Sequence, residues 1–276
     1  MKTLRGKQVV ITGAASGIGL ECARSFARQG ANLVISDVNA AALEGLKREI
    51  LGLGVSCLAQ PCDVTSVESV GALAAAAQVA VGPVDVLVNN AGIAYLGSFE
   101  EQKPEWWRRT FDVNVMGIVH CTQAFLPAMR AAGGERRIVN VASVAGVAPP
   151  PNMAAYAASK HAVIGLSEVL ALELHGTPVS VLVVCPGIIN TNIVNGRHMM
   201  APGISEAQLQ KLQRYYVEHG CLPDVVANGI VRSVLDDDPY LFVGPMAKLA
   251  TLLAWLPRGL RRTLMLRSAG EAGYLP

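Results

Sequence analysis

The chain has little with which to hold a metal, cross a bilayer or grip a nucleic acid. Only 16% of its 276 residues are charged and the formal net charge is +2, too small a surplus to read as a nucleic-acid surface. Each strongly apolar stretch is broken by a charge, Gly or Pro before it reaches the run of about 18 residues that a spanning helix needs. The six cysteines, at 22, 57, 62, 121, 185 and 221, include no C-x-x-C pair and no histidine at metal-ligand spacing. They are expected to be small buried hydrophobes, and no metal is assigned. The opening M-K-T-L-R-G-K-Q-V-V-I-T-G runs into a strand and a Gly-rich turn without the apolar stretch and cleavage site of a leader, so the expected compartment is the cytoplasm.

What is present is aliphatic and periodic. Hydrophobic residues make up 51% of the chain, enough for a large buried core. From residue 7 to about 185, short β-branched runs alternate with longer Ala/Leu-rich stretches: Q-V-V-I-T, N-L-V-I-S, V-S-C-L-A, V-D-V-L-V, R-I-V-N-V and V-S-V-L-V-V, with P-Y-L-F-V as a later strand. Strands alternating with helices imply right-handed crossovers and a parallel sheet covered on both faces. The expected fold is therefore α/β, a doubly wound, Rossmann-type sheet of seven parallel strands. A long helix is expected from about 103 to 132, with Pro104 near its start and Gly133-Gly134 beyond its end. With no linker, low-complexity tract or repeat, residues 1–276 read as a single domain. It carries a lid insertion at about 190–220 and an apolar, basic extension at about 245–276.

T-G-A-A-S-G-I-G, residues 12 to 19, joins the first strand to the first helix. Glycines at 13, 17 and 19 allow a tight turn and close backbone approach to a pyrophosphate, whose charge the helix N-terminus stabilises. The second strand ends at Asp37, near the offset of about 20 residues where an acid meets a ribose. A carboxylate there accepts from ribose hydroxyls and repels a 2′-phosphate, and no cation in the turn offsets it. NAD is expected over NADP. The other reading of Asp37 is a solvated cap before Asn39.

Tyr156 and Lys160 stand at i and i+4, on one face of a helix. A free phenol titrates near 10, so acid/base work near neutrality asks for a shift of about three units, roughly 4 kcal/mol, and an adjacent ammonium has the right sign. Ser143 closes the fifth strand, at the carboxyl edge where parallel sheets place ligands; its hydroxyl could hold a carbonyl oxygen beside the phenol.

With T-G-x-x-x-G-I-G at 12 to 19, Asp63 after the third strand, N-N-A-G at 89 to 92, Asn114, Ser143, Y-x-x-x-K at 156 to 160 and P-G-x-x-x-T at 186 to 191, the sequence resembles the short-chain dehydrogenase/reductase family over nearly its whole length. The resemblance implies that Tyr156 gives a proton to the carbonyl oxygen on reduction and takes it back on oxidation, while nicotinamide C4 exchanges hydride with the same carbon. It implies that Lys160 lowers the tyrosine pKa and bonds the nicotinamide ribose, that Ser143 orients the substrate oxygen, and that Asn114 holds a water leading from Lys160 to solvent. By the same resemblance Gly13, Ser16, Ile18 and Gly19 line the phosphate turn, Asp37 meets the adenosine ribose, and Asp63 and Val64 meet the adenine. Asn90 and Gly92 border the cleft, and Ile189 with Thr191 meets the carboxamide. For N-N-A-G the alternative is that the amides chiefly fix the central strands, and for Asn114 that it is a satisfied polar residue inside a long helix. The family also implies a homodimer or homotetramer built through the helix that carries Tyr156.

Substrate choice belongs to the loops. I-A-Y-L-G (93 to 97), V-A-G-V-A-P-P-P-N-M (144 to 153) and I-V-N-G-R-H-M-M-A-P-G-I (193 to 204) are apolar and carry no basic cluster. A hydrophobic secondary alcohol or ketone is therefore expected, such as a steroid, a terpenoid or an aryl or alkyl carbinol; His198 reads as a surface residue. The tail M-A-K-L-A-T-L-L-A-W-L-P-R-G-L-R-R-T-L-M-L-R fits packing on its own protein or a neighbouring subunit, with weak contact to a membrane surface as the other placement. Two other functions remain open at this point: a 3-oxoacyl thioester reductase, which Asp37 disfavours through its cofactor, and an NAD-sensing binding protein, for which an intact Ser143, Tyr156 and Lys160 would be superfluous.

Overall fold

The computed structural model describes residues 1–191 and 197–275. The stretch 193 to 196, part of the expected lid and pocket loops, lies outside the described residues. Seven strands form one sheet: β1 (Gln8–Thr12), β2 (Asn32–Ser36), β3 (Cys57–Ala59), β4 (Val86–Asn89), β5 (Arg136–Val141), β6 (Val179–Pro186) and β7 (Tyr240–Val243). Their order is β3-β2-β1-β4-β5-β6-β7 and every pair is parallel. The doubly wound, seven-stranded expectation matches this arrangement.

The strands read as continuous apolar runs because both faces are covered. Val9, Ile11, Leu33 and Ile35 point into one core with Phe26 of α1 (Gly17–Arg28), Leu43 of α2 (Ala40–Leu51) and Ile230 of α8 (Pro223–Asp236). Val10, Val34 and Leu87 point into the other, with Leu73 of α3 (Val67–Val81) and Phe125 of α5 (Gly117–Ala131). The alternation of neighbours between two cores is the period of two that a strand imposes. After β3 the chain crosses β1 to lay down β4, so the crossovers reverse between β1 and β4 and open a crevice at the carboxyl ends of these strands.

The long helix expected from 103 to 132 is three pieces: α4 (Pro104–Phe111), a π-helical turn at Asp112–Met116 and α5. Such a bulge re-aims a side chain that a regular helix would point elsewhere, and here the turn carries Asn114. α6 (Ala154–Glu173) follows the short 3-10 turn Val144–Gly146. The two lie so close that a Cβ at Gly146 would sit 2.8 Å from the backbone carbon of Lys160, so only glycine brings the end of β5 against the helix carrying Tyr156. Beyond β6 come α7 (Glu206–His219) and, after β7, the tail helices α9 (Ala247–Ala254) and α10 (Arg258–Ala272). Among the described residues no helix is long and apolar enough to cross a membrane.

Candidate active site

A cleft of about 510 Å³ opens above the carboxyl ends of the central strands. At one end is the β1–α1 turn. A Cβ at Gly19 would stand 2.1 Å from the carbonyl oxygen of Gly13, so the helix begins hard against the strand end with its first amides turned to the cleft. Ser16 occupies the N-cap position without a side-chain cap bond, and the first turn of α1 has no acid. The positive end of the helix is thus left to an outside anion, and a pyrophosphate fits that arrangement. Ile18 lines the same wall.

Asp37 follows β2 and braces the turn. Its Oδ2 accepts from Ala15 N at 3.1 Å and its Oδ1 from Asn39 N at 3.0 Å. The cap of α2 is Asn39, whose Oδ1 accepts from Ala42 N, so Asp37 is free of that duty and faces the cleft. Asp63 accepts from Thr65 N and Thr65 Oγ1 at 3.0 and 2.8 Å and lies 3.7 Å from the Arg109 guanidinium. Burial works against its ionisation, but the Thr65 bonds and the arginine outweigh that and hold the carboxyl below its ordinary range. Arg109, on α4, had no signal in the sequence. Val64 is buried, its carbonyl 2.9 Å from His120 Nδ1.

Asn90 is committed to structure: its Nδ2 donates to Thr12 O and Gly13 O, at 3.1 and 3.0 Å, tying β4 to the glycine turn. Asn89 does the same across the sheet, donating to Asn140 Oδ1 at 2.9 Å. Gly92 leaves room where a Cβ would lie 3.4 Å from Asn114 Oδ1 and 3.5 Å from Lys160 Nζ. Ile189 is buried in the core and bridges to Cys221 through its backbone, while Thr191 sits against Gly17, its methyl 3.5 Å from the position of a Cβ there.

Ser143, Tyr156 and Lys160 meet at the floor of the cleft, all buried. Ser143 Oγ accepts from Ala145 N at 3.1 Å. Lys160 Nζ donates to Val141 O at 2.8 Å and lies 5.7 Å from the centre of the Tyr156 ring. Burial pushes the Tyr156 phenol up to about 12, although the Ser143 hydroxyl pulls the other way; burial also brings the Lys160 ammonium down to about 8. The expected lowering of the tyrosine by the lysine is therefore absent among the chain's own groups. Burial is the larger influence on the phenol, and the Ser143 hydroxyl offsets only part of it.

Asn114 is fully buried and satisfied by protein groups. It accepts from Ile93 N at 2.8 Å and donates to Ile93 O and Ser159 Oγ, both at 3.0 Å.

The far wall is built from residues that carry no signal in the sequence. Tyr216 of α7 and Tyr274 beyond α10 line the cleft, and their hydroxyls lie 2.6 Å apart. Ala250, Leu253, Met265 and Ala272 of the tail helices close the same wall. The tail thus packs over its own pocket, the first of the placements considered for it. Arg261 donates to Val147 O at 2.9 Å and Lys211 to Gly270 O at 2.7 Å, pinning it there. His198 is exposed. The six cysteines are unpaired, four of them buried, and among the described residues no cluster could hold a metal.

A family model described as short chain dehydrogenase matches residues 7–201. The probable oxidoreductase EphD of Mycobacterium tuberculosis is 37% identical over 264 residues, which cover 94% of this chain and 45% of that protein; the chain thus spans about half the length of that curated relative. Among solved structures, a short chain dehydrogenase/reductase from Burkholderia phymatum in complex with NAD superposes with a TM-score of 0.81 at 34% identity, covering 87% of this chain and 90% of that one. A 7α-hydroxysteroid dehydrogenase complexed with NADH and 7-oxo glycochenodeoxycholic acid gives a TM-score of 0.73 at 34% identity, covering 84% and 88%.

Proposed function

The chain belongs to the short-chain dehydrogenase family, and from that premise we propose that it interconverts a hydrophobic secondary alcohol and its ketone with NAD, using Tyr156 as the acid/base. One observation carries the reading: Tyr156, Ser143 and Lys160 share the buried floor of a cleft that has a glycine turn at one end and an apolar wall at the other. The NAD-bound relatives support the cofactor, and the steroid ligand in one of them supports a large apolar substrate.

When bound, NAD supplies the hydride acceptor or donor. The first amides of α1 would hold its pyrophosphate, Asp37 its adenosine ribose, and Lys160 the ribose beside the reacting carbon. Ser143 donates its hydroxyl proton to the substrate oxygen and so fixes it beside the Tyr156 phenol. A phenol held up near 12 is fully protonated at neutral pH, which suits delivery of a proton to the oxygen of a ketone. In the reverse direction the same phenol must first lose its proton, so alcohol oxidation is expected to quicken as pH rises. Both Nδ2 protons of Asn114 are committed to Ile93 and Ser159, so a water beside Lys160 would be held by Asn114 only as an acceptor.

The exposed Val169 and Leu172 on α6 suit a second copy of the chain. The test of the reaction is NAD⁺ and NADP⁺ reduction with a panel of secondary alcohols from small to steroid-sized, running wild type beside Tyr156→Phe. Turnover of a bulky carbinol with NAD⁺, falling about a thousandfold in the variant, is the expected result. Turnover only with NADP⁺, or none with any alcohol although NAD⁺ binds, would overturn the proposal.

A further inference from the structure

The tail helices have two faces, and the cleft uses only one. Ala250 and Leu253 of α9 and Met265, Ser268, Ala269 and Ala272 of α10 line the pocket. On the opposite side Leu249, Leu252 and Trp255 follow one another at helical spacing, and Leu260 and Leu264 do so on α10; all five are exposed, Trp255 by 88% and Leu252 by 65%. Eighteen large hydrophobic residues are exposed in the described chain, and six of them, with Leu266, fall between 249 and 266. The other twelve are spread over residues 38 to 225, so among the described residues apolar exposure is densest along the tail.

The charge around that patch has one sign. Residues 247 to 275 hold Lys248, Arg258, Arg261, Arg262 and Arg267 against the single acid Glu271. Arg267 is paired with Glu271 at 3.1 Å, whereas among the described residues Lys248, Arg258 and Arg262 enter no ion pair. Leucines and an exposed tryptophan bordered by cations are the composition of a helix that lies in a membrane interface: the rings and aliphatic chains enter the acyl boundary, and the guanidinium groups meet phosphates.

We propose that α9 and α10 dock the protein on an anionic lipid surface through Leu252, Trp255, Leu260 and Leu264. The same two helices wall the pocket, so docking brings a lipophilic substrate within reach of the cleft without passage through water. That consequence rests on the reaction proposed above, while the docking does not. An anionic surface is favoured over a second copy of the chain because the patch would meet its own cations in a symmetric pair, and the like charges would repel.

The test is flotation of the full chain with vesicles of phosphatidylcholine alone and of phosphatidylcholine with phosphatidylglycerol, with oligomeric state measured beside it by sedimentation. The prediction is recovery with the anionic vesicles, decreasing as salt rises. Partitioning should fall by about tenfold or more in Leu252→Ser/Trp255→Ser and lose its salt dependence in Arg258→Gln/Arg262→Gln. Thermal midpoint and turnover of a small water-soluble alcohol should stay as in wild type, which separates failure to dock from failure of the reaction. No recovery with either vesicle, equal recovery of wild type and the Leu252/Trp255 variant, or a smaller oligomer in that variant would overturn the proposal. The last result would give the patch to a second copy.

Discussion

The two ends of the cleft are built from different materials. At the glycine turn the wall is backbone: Gly13, Gly17 and Gly19, free amides at the head of α1, and a carboxylate that braces them. At the far end it is side chains carried by α7, α9 and α10, which lie far from β1 and β4 in the sequence and reach the pocket only through packing. That wall tolerates almost no change, because at Gly13 and Gly19 an added atom meets a peptide group that cannot move and at Gly17 the backbone φ of +54° strains any side chain. A wall of methyl and phenol groups can be reshaped at small cost, which is where a common fold has room to change substrate.

The largest effect is expected where the two ends meet. The folded Lys160 titrates near 8, below its ordinary 10.5, so between these values the unfolded chain binds more protons than the folded one. Stability therefore rises with pH across that window, and the full cost of burying the ammonium is present below it. The cost is up to about 3 kcal/mol. Unfolding free energies of wild type and Lys160→Met from pH 7 to 10.5 should converge on the wild type's gain; parallel curves would remove the buried charge from the account.

Glycine substitutions separate the two walls next. Gly19→Ala forces a Cβ to within 2.1 Å of Gly13 O and should cost about 1 to 3 kcal/mol, seen as a lower thermal midpoint and weaker NAD⁺ binding by titration. Gly270→Ala, in α10 with nothing within 4 Å of the added atom, should leave binding alone and raise the midpoint slightly. If the two variants behave alike, the contrast between the walls fails. Asp37→Asn removes the charge and leaves one acceptor oxygen for the two backbone amides, of Ala15 and Asn39, that the carboxylate holds. The preference for NAD⁺ over NADP⁺ should drop about tenfold, as measured by paired kcat/KM values, with the midpoint lowered by the loss of one hydrogen bond, worth about 1 kcal/mol. Tyr274→Phe breaks the hydroxyl pair with Tyr216 and should cost about 1 kcal/mol, read as a severalfold rise in KM for a bulky alcohol.

This division also governs how much was legible beforehand. The strand order and the turn could be read because their causes are local: β-branched runs with period two, and glycines where the chain must pass close to itself. Tyr156, Lys160 and Ser143 came with spacing that brings them together on any α6 packed against β5. Asn114 was legible as a position but not as a geometry, since the π-helical turn that aims it at Ile93 leaves no mark in the composition. Tyr216, Tyr274 and Arg109 were not legible at all. Each reaches the cleft through the packing of elements distant in sequence, and a lone tyrosine or arginine has many bland explanations. The phenol's raised pKa was hidden for the same reason, because burial is a property of the assembled floor.

The separation of the two walls has one direct test. Ala272→Phe fills the pocket from the tail side without touching the glycine turn, and both NAD⁺ titration and turnover on a bulky and a small secondary alcohol can be followed in the same preparation. The account predicts unchanged NAD⁺ affinity, a large loss of kcat/KM for the bulky alcohol and a much smaller loss for the small one. Equal losses on both alcohols together with weakened NAD⁺ binding would contradict it.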